Sequence, residues 1–461
     1  MGQKLFGTSG IRGGIDSKVT VDLALGLGRA LGSLLKGRGT VGVGIDARTS
    51  REMLRGAFVS GLLSTGVDVI DLGIAPMPTV AYHSSITGVS ASVIITASHN
   101  PPTDNGFKFF LSGREFIQSE EEFLEARVSD HKFIKADWQT IGKVRCLDIR
   151  RQYLDRVRDF VLSRGGRSKG TKILVDAANG AATNYTPHLL RELGFSVTTV
   201  NAHQDGHFPG RPAEPSPKNL KDTMKMTADS DFSVALCHDG DGDRLAVIDE
   251  DGKFIDQNRV IALFARDEVG RKGRGTVVVS IDTSSVIDEV VRAEGGEVVR
   301  APLGSLQEIL ATRTDGSIVF ASEPWKPIFV ELGWWMDGVT GAARFAQMMD
   351  EMGDGSCIKL MKSIPEYPIL RDHIPCPDEI KPRFLPMVKE MLVPEISDIE
   401  QILEEDGIRI ERKDGSYVLV RVSGTEPKAR VYIGAKNQAT LDKLANLSMD
   451  IMKRAAEAAS K

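Results

Sequence analysis

Cys237–Asp249 reads CHDGDGDRLAVID, in which Asp239, Asp241 and Asp243 alternate with glycines. Glycine lets a short loop fold back on itself, so three carboxylates can converge. Three converged acids repel one another unless a cation neutralises them, and hard oxygen donors select Mg²⁺ or Ca²⁺. An EF-hand is the obvious rival, but its sixth position needs glycine and here holds Arg244. The flanks FSVAL and LAVID also read as strands, not helices. Mg²⁺ keeps a few carboxylates and takes a phosphate oxygen, which points to phosphoryl transfer.

A second stretch, Ala91–Phe110, runs ASVIITASHNPPTDNGFKFF. Val93–Ile95 reads as a buried strand delivering Ser98 and His99 to a rigid bend. A serine hydroxyl is a weak nucleophile without a base. Lys108 could be that base, and Asn105-Gly106 makes a turn that would bring it back toward Ser98. An ordinary polar turn is the other reading. There is no GxSxG elbow, so a hydrolase is disfavoured.

Three further loops carry weaker signals. RVSGTEPKAR offers Ser423, Gly424 and Thr425 between Arg421 and Arg430. A turn presenting N–H groups and hydroxyls beside arginines suits a phosphate dianion. FGTSGIRGG carries Arg12 but is no P-loop. In ASEPWKPIF, Glu323 could accept from sugar hydroxyls; Trp325 would stack on a sugar face or belong to the core.

These loops need elements to hold them. VGVGIDART, a helical segment and GVDVIDLG form a strand–helix–strand unit ending near an Asp. The pattern recurs from KILVDAANG to FSVTTVN, and again from GTVVVSIDTSS to EVVRAPLG. Each is a parallel crossover, and the turn after its first strand lies where open α/β sheets bind ligands. After Ser363 the pattern breaks. A proline-rich stretch, a hairpin turning at Asp414-Gly415 and a closing helix read as a smaller α+β domain. The expected domains are 1–150 with the serine loop, 151–256 with the aspartate loop, 257–365 with the sugar loop and 366–461.

Composition narrows the class. The chain has 461 residues, 41% of them hydrophobic, and a net charge of -5. That affords sizeable cores and gives nucleic acid or membrane surfaces no electrostatic footing. Cys146, Cys237, Cys357 and Cys376 lie far apart without CxxC, against a zinc site or disulfide framework and in keeping with a reducing cytosol. No apolar run approaches the roughly 18–20 residues of a spanning helix, and the N-terminus lacks a signal peptide's apolar segment. A cytoplasmic protein is expected.

TASHNP, DGDGDR and RxSGTEP in this order resemble the α-D-phosphohexomutase superfamily over essentially the whole chain. Its members include phosphoglucosamine mutase, phosphomannomutase and phosphoglucomutase, and the FGTSGIRG start and RVYIGAK resemble archaeal members. The resemblance implies four domains around a central cleft: three α/β domains with mixed sheets and a smaller C-terminal α+β domain. It implies that Ser98 is a phosphoserine, and that Asp239, Asp241 and Asp243 hold one Mg²⁺ per chain with an oxygen of that phosphoryl group. Lys108 would be the general acid/base, with Arg12, His99 and Arg244 around the phosphoryl. Glu323 would bind the sugar, while Arg421, Ser423, Gly424, Thr425 and Arg430 would cradle the phosphate that does not react. The implied reaction interconverts hexose 6- and 1-phosphates through a 1,6-bisphosphate, which also serves as activator. A rotation of the last domain would close the cleft.

The sugar loop departs from the family's G-E-x-S-G/A-H. Trp325 and Pro327 fill the serine and histidine positions, and Lys326 would replace a lost polar contact. TDNGFKFF leans toward phosphoglucosamine mutase. A dual phosphomannomutase/phosphoglucomutase is the close alternative, and a non-catalytic sugar-phosphate-binding protein the distant one. A small-molecule sugar phosphate is the expected partner, with no nucleic acid or membrane; a homodimer is left open.

Overall fold

A computed structural model describes residues 4–424 and 426–460. By its internal packing the chain divides into two units, residues 1–260 with 307–363, and residues 261–306 with 364–461.

In the first unit, seven strands form the opening sheet: β1 (Ile11–Gly14), β2 (Thr40–Ile45), β3 (Asp68–Ile74), β4 (Ala91–Ile95), β5 (Asp104–Leu111), the short β6 (Arg114–Glu115) and β7 (Val144–Cys146). Their order is β1-β5-β4-β2-β3-β7, with β6 on β5. The β2–β3, β2–β4 and β3–β7 pairs are parallel, whereas β5 returns antiparallel to β4. The continuous apolar run of β4 is buried on both faces, as expected for an interior strand of a covered sheet. On β5, Phe107 and Phe109 enter the core, and the alternation puts Lys108 on the other face.

Helices Val21–Leu34 and Arg51–Leu63 cover this sheet and cross at glycines. A Cβ at Gly28 would lie 2.2 Å from the Phe58 carbonyl, and one at Gly61 2.4 Å from the Leu25 carbonyl. The second sheet repeats the plan in four strands: β8 (Lys172–Asp176), β9 (Ser196–Val200), β10 (Val234–Cys237) and β11 (Ala246–Asp249), in the order β11-β10-β8-β9. A hairpin of β14 (Ile318–Glu323) and β15 (Lys326–Phe329) also belongs to the first unit.

The second unit holds the third crossover, the parallel pair β12 (Thr276–Ser280) and β13 (Glu297–Ala301). The three crossovers legible as sequence repeats are thus all formed. The unit also holds an antiparallel sheet of β16 (Ile369–Pro375), β17 (Ile399–Leu403), β18 (Ile408–Arg412), β19 (Tyr417–Val422) and β20 (Lys428–Gly434), ordered β16-β20-β19-β18-β17. Helices Lys381–Leu392 and Gln438–Ala459 pack on one face. On the other, Tyr417, Leu419 and Tyr432 meet Ile281. The fully buried Arg409 stacks 3.8 Å from the Tyr417 ring and donates to the Ile281 and Thr283 carbonyls.

Candidate active site

The loop after β4 puts Ser98 in the left-handed region, at φ 52°. Serine avoids that conformation unless its surroundings impose it. Here Ser98 N–H donates to Thr96 Oγ1 at 2.8 Å, and the Ser98 carbonyl accepts from Arg48 at 3.0 Å. The result aims Ser98 Oγ at Asp239, to whose Oδ2 it donates at 2.6 Å. His99 lies beside it, with Nδ1 3.5 Å from Ser98 Oγ.

Asp239, Asp241 and Asp243 occupy the loop between β10 and β11 and are fully buried. Gly242 turns the loop at φ 73°. Gly240 lets it approach the serine loop; a Cβ there would lie 2.6 Å from the Ser98 carbonyl. Asp239 Oδ1 accepts from the N–H groups of Gly242 and Arg244 at 3.0 and 3.2 Å, fixing that carboxylate from inside its own turn. Lys108 Nζ donates to Asp241 Oδ2 at 2.9 Å and Asp243 Oδ2 at 2.7 Å. β5, paired antiparallel beside the strand that delivers Ser98, thus returns the lysine to the acids.

One oxygen from each of the three aspartates lies within 4.8 Å of the others, the one such cluster among the described residues. Asp241 Oδ1 and Asp243 Oδ1 are buried with no hydrogen-bond partner. A buried carboxylate oxygen left empty is costly. Three buried acids with one lysine among them therefore fit a divalent cation.

The titration behaviour follows from the same packing. Burial pushes the Asp239 carboxyl well above its ordinary range, and the neighbouring charges of Asp241 and Asp243 push it further. Burial acts the same way on Asp243, but Lys108, Lys326 and Arg244 outweigh it and hold that group below the usual range. Burial opposes the charge on Lys108, yet Asp241 and Asp243 raise its pKa above the ordinary lysine value.

Positive charge gathers around the serine. Arg12 stands on β1 opposite Gly106 of β5. Its Nε and Nη2 are buried without partners, as is Arg244 Nε. Arg244 comes within 3.4 Å of His99 Nε2. Burial, then the charges of Arg244, Arg12 and Lys326, drive the His99 pKa far below the ordinary histidine value, leaving a neutral ring. Unpaired buried guanidinium donors are what an anion would fill.

In the β14–β15 hairpin, Glu323 opposes Lys326, and Glu323 Oε2 and Lys326 Nζ are 3.3 Å apart with both side chains buried. Trp325 adopts φ 69°, and its carbonyl accepts from Leu245 N–H at 2.8 Å, tying this turn to the end of the aspartate loop. Its indole packs against the cluster of Leu174, Ala246 and Ile248, 5.3 Å beneath the Arg244 guanidinium. The first unit thus brings together Ser98, His99, Lys108, Arg12, Arg244 and the three aspartates, with Trp325 beneath Arg244.

The SGTEP loop belongs to the second unit. Ser423 Oγ accepts from Glu426 N–H at 3.1 Å, and Arg421 pairs with Asp406 at 2.7 Å. Arg430 pairs with Glu426, and Gly424 is exposed. Thr425 lies outside the described residues. Lys381 donates to the carbonyls of Ser423 and Glu426 at 2.5 and 2.7 Å, bracing the loop from the neighbouring helix. Sequence reasoning passed over Lys381, whose proline-rich surroundings give no hint of it, and over Asp46, Arg48 and Thr96. A signal for Asp46 existed in the Asp that closes the first strand of each repeat.

Known proteins share this arrangement from end to end. Profiles of Phosphoglucomutase/phosphomannomutase match its alpha/beta/alpha domain I to residues 3–135, domain II to 151–252, domain III to 256–367 and the C-terminal domain to 373–450. A phosphopentomutase of Thermococcus kodakarensis is 42% identical over 460 residues, covering 99% of this chain and 100% of that protein. A probable phosphoglucosamine mutase of Methanopyrus kandleri is 41% identical over 462 residues, covering 98% and 99%. The crystal structure of a phosphoglucomutase/phosphomannomutase family protein from Burkholderia thailandensis matches with a TM-score of 0.87 at 27% identity, covering 100% of this chain and 98% of that one. With all four domains matched in order and the serine, lysine and aspartates brought together in one unit, the chain belongs to the phosphoglucomutase/phosphomannomutase family.

Proposed function

We propose that the protein is a Mg²⁺-dependent phosphohexomutase, interconverting the 6- and 1-phosphates of a hexose through phospho-Ser98 and a 1,6-bisphosphate, with glucosamine phosphate as the favoured substrate. The observation that carries this reading is Ser98 Oγ bonded at 2.6 Å to one aspartate of a buried triplet whose other two members grip Lys108.

In the first half-reaction the P–Oγ bond of phospho-Ser98 breaks and a bond forms from phosphorus to the free sugar hydroxyl. Lys108 takes the hydroxyl proton, and that proton is returned to the departing Ser98 oxyanion, which leaves the serine as a hydroxyl. The second half-reaction runs the same chemistry backwards with the other phosphate of the bisphosphate. Arg12, Arg244 and neutral His99 supply donors to the phosphoryl oxygens, which is where such a transfer needs stabilising. Mg²⁺ held by Asp239, Asp241 and Asp243 would neutralise the moving phosphoryl group and ease the pull of Asp241 and Asp243 that keeps Lys108 protonated. Glu323 and Lys326 bind sugar hydroxyls, with Trp325 beside them, and Arg421, Ser423, Gly424, Thr425 and Arg430 bind the spectator phosphate.

A second reading has its own support: the 42%-identical relative is named for a pentose substrate. The atypical 322–327 loop fits a changed sugar. Rates should be compared for glucosamine, glucose and mannose 6-phosphates and ribose 5-phosphate, with Mg²⁺ and a trace of the matching bisphosphate. The hexose reading expects the fastest 1-phosphate formation from glucosamine 6-phosphate. Fastest turnover of ribose 5-phosphate would replace it with the pentose reading, and binding without turnover of any of the four would leave only a sugar-phosphate-binding protein.

A further inference from the structure

Arg48 takes no part in the chemistry above, yet it is fully buried beside the serine loop. A guanidinium carries five N–H donors, and here all five are used. Nε donates to Asp46 Oδ2 at 3.1 Å. Nη1 donates to the Pro101 and Asp104 carbonyls at 2.5 and 2.8 Å, and Nη2 to the Ser98 and Asn100 carbonyls at 3.0 and 2.7 Å. The Phe208 ring lies 5.1 Å from the guanidinium carbon, and Gly206 packs so closely that a Cβ there would be 2.6 Å from Arg48 Cα.

The same carboxylate also reaches the other end of Ser98. Asp46 Oδ2 accepts from Thr96 Oγ1 at 2.7 Å, and Thr96 Oγ1 accepts from Ser98 N–H at 2.8 Å. The peptide groups on both sides of Ser98 are thus tied to one buried ion pair. That residue is the one held left-handed and aimed at Asp239. The second repeat carries a matching device. Arg211 Nε donates to Asp176 Oδ2 at 2.8 Å, and its Nη2 holds the carbonyl of His238, the residue before Asp239, at 2.7 Å. Thr223 donates to the same Asp176 oxygen at 2.7 Å, as Thr96 does to Asp46.

We propose that Arg48, paired with Asp46, is the positioning residue for the phosphoryl-carrying serine: it sets the direction of Ser98 Oγ by gripping the carbonyls of residues 98–104. This rests on the reading of Ser98 as phosphoryl carrier. Lysine keeps the charge but cannot span four carbonyls from one planar fork. Arg48→Lys should therefore fold and bind sugar phosphate while misdirecting the hydroxyl.

The test follows phosphate transfer from glucose 1,6-bisphosphate to residue 98 by mass spectrometry of the full chain, alongside kcat, KM and thermal melting. Arg48→Lys, Thr96→Val and the core variant Leu54→Ala are compared with the natural chain. Arg48→Lys should slow phosphorylation and kcat by about a hundredfold, the effect of an ångström-scale misplacement, with KM within about twofold. Thr96→Val should lose less in the same direction. Leu54→Ala should lower the melting temperature without this kcat loss. Guanidinium added to Arg48→Ala should restore part of the rate. Wild-type phosphorylation rates in both Arg48→Lys and Thr96→Val, or a kcat loss matched by Leu54→Ala, would overturn the proposal. A natural chain that takes no phosphate at Ser98 overturns the phosphoserine reading, and the proposal with it.

Discussion

Ser98 combines two demands that conflict. Its hydroxyl must face Asp239, and to do so its backbone sits at φ 52°. A side chain other than glycine is strained there, by about 1 kcal/mol or more. Ser98→Ala and Ser98→Gly should both lose activity by at least about a thousandfold, as removal of a nucleophile does. Urea melts should then separate them, the glycine variant being more stable than the alanine variant by about 1 kcal/mol. Equal stability would mean that the surroundings do not strain this residue. Single residues also show what a sequence discloses. The DGDGD run was legible because acids alternating with glycines must converge in almost any fold. Arg48 was not, because its meaning lies in carbonyls about fifty residues away. For Trp325 the sequence left two readings, sugar stacking or core. Its indole packs against the buried cluster that holds Leu174, Ala246 and Ile248 and lies under Arg244, neighbours that only the fold assembles.

At the scale of elements, glycines on two crossing helices make opposite predictions. Gly28 faces the crossing with helix Arg51–Leu63, where an added Cβ would meet the Phe58 carbonyl at 2.2 Å. Gly28→Val should cost about 1–3 kcal/mol of stability, as overpacking does. Gly56, inside helix Arg51–Leu63, would meet nothing within 4 Å. Gly56→Ala should stabilise by about 0.5–1 kcal/mol through helix propensity alone. Thermal melts of the two variants check both. In the second unit, Glu411 on β18 accepts from Arg409 at 2.7 Å and lies 3.4 Å from Arg300. Burial would raise its pKa, but the two arginines prevail and bring it from 4.5 to about 2. Its contribution is therefore complete above pH 4.5 and lost as the pH falls toward 2. Glu411→Gln should lower the urea midpoint at neutral pH by the equivalent of at most about 3 kcal/mol, with the difference vanishing near pH 2. The strand–helix–strand repeats and the Asp414-Gly415 hairpin were readable because period and turn chemistry are local. The burial of Arg409 was not: in IRIERK it occupies what reads as the solvent face, and the Tyr417 ring together with the Ile281 and Thr283 carbonyls covers it.

For the whole molecule, the serine, the lysine and the aspartates all lie in the first unit, the serine and aspartates in strand-end loops and the lysine within β5. A cation bound there should stabilise the native chain by mass action, by about 2.7 kcal/mol at a hundredfold excess over Kd. Mg²⁺ added to chelator-treated protein should raise the melting temperature, and Asp243→Asn should abolish that rise. A full shift in the variant would place the ion elsewhere. The four-domain plan could be read from the order of the loops along the chain, because each loop follows a recognisable strand. The grouping of residues 261–306 with the C-terminal sheet could not, since it arises from side chains such as Arg409 and Arg300 that join segments more than a hundred positions apart. The cation-stacked indole at position 325 has a practical use. Of the four tryptophans, Trp138 is 82% exposed and contributes a constant background that Trp138→Phe would remove. Trp325 lies against a guanidinium, so an anion that draws Arg244 away should change its fluorescence. The protein thus carries its own optical readout of ligand arrival, with no label attached.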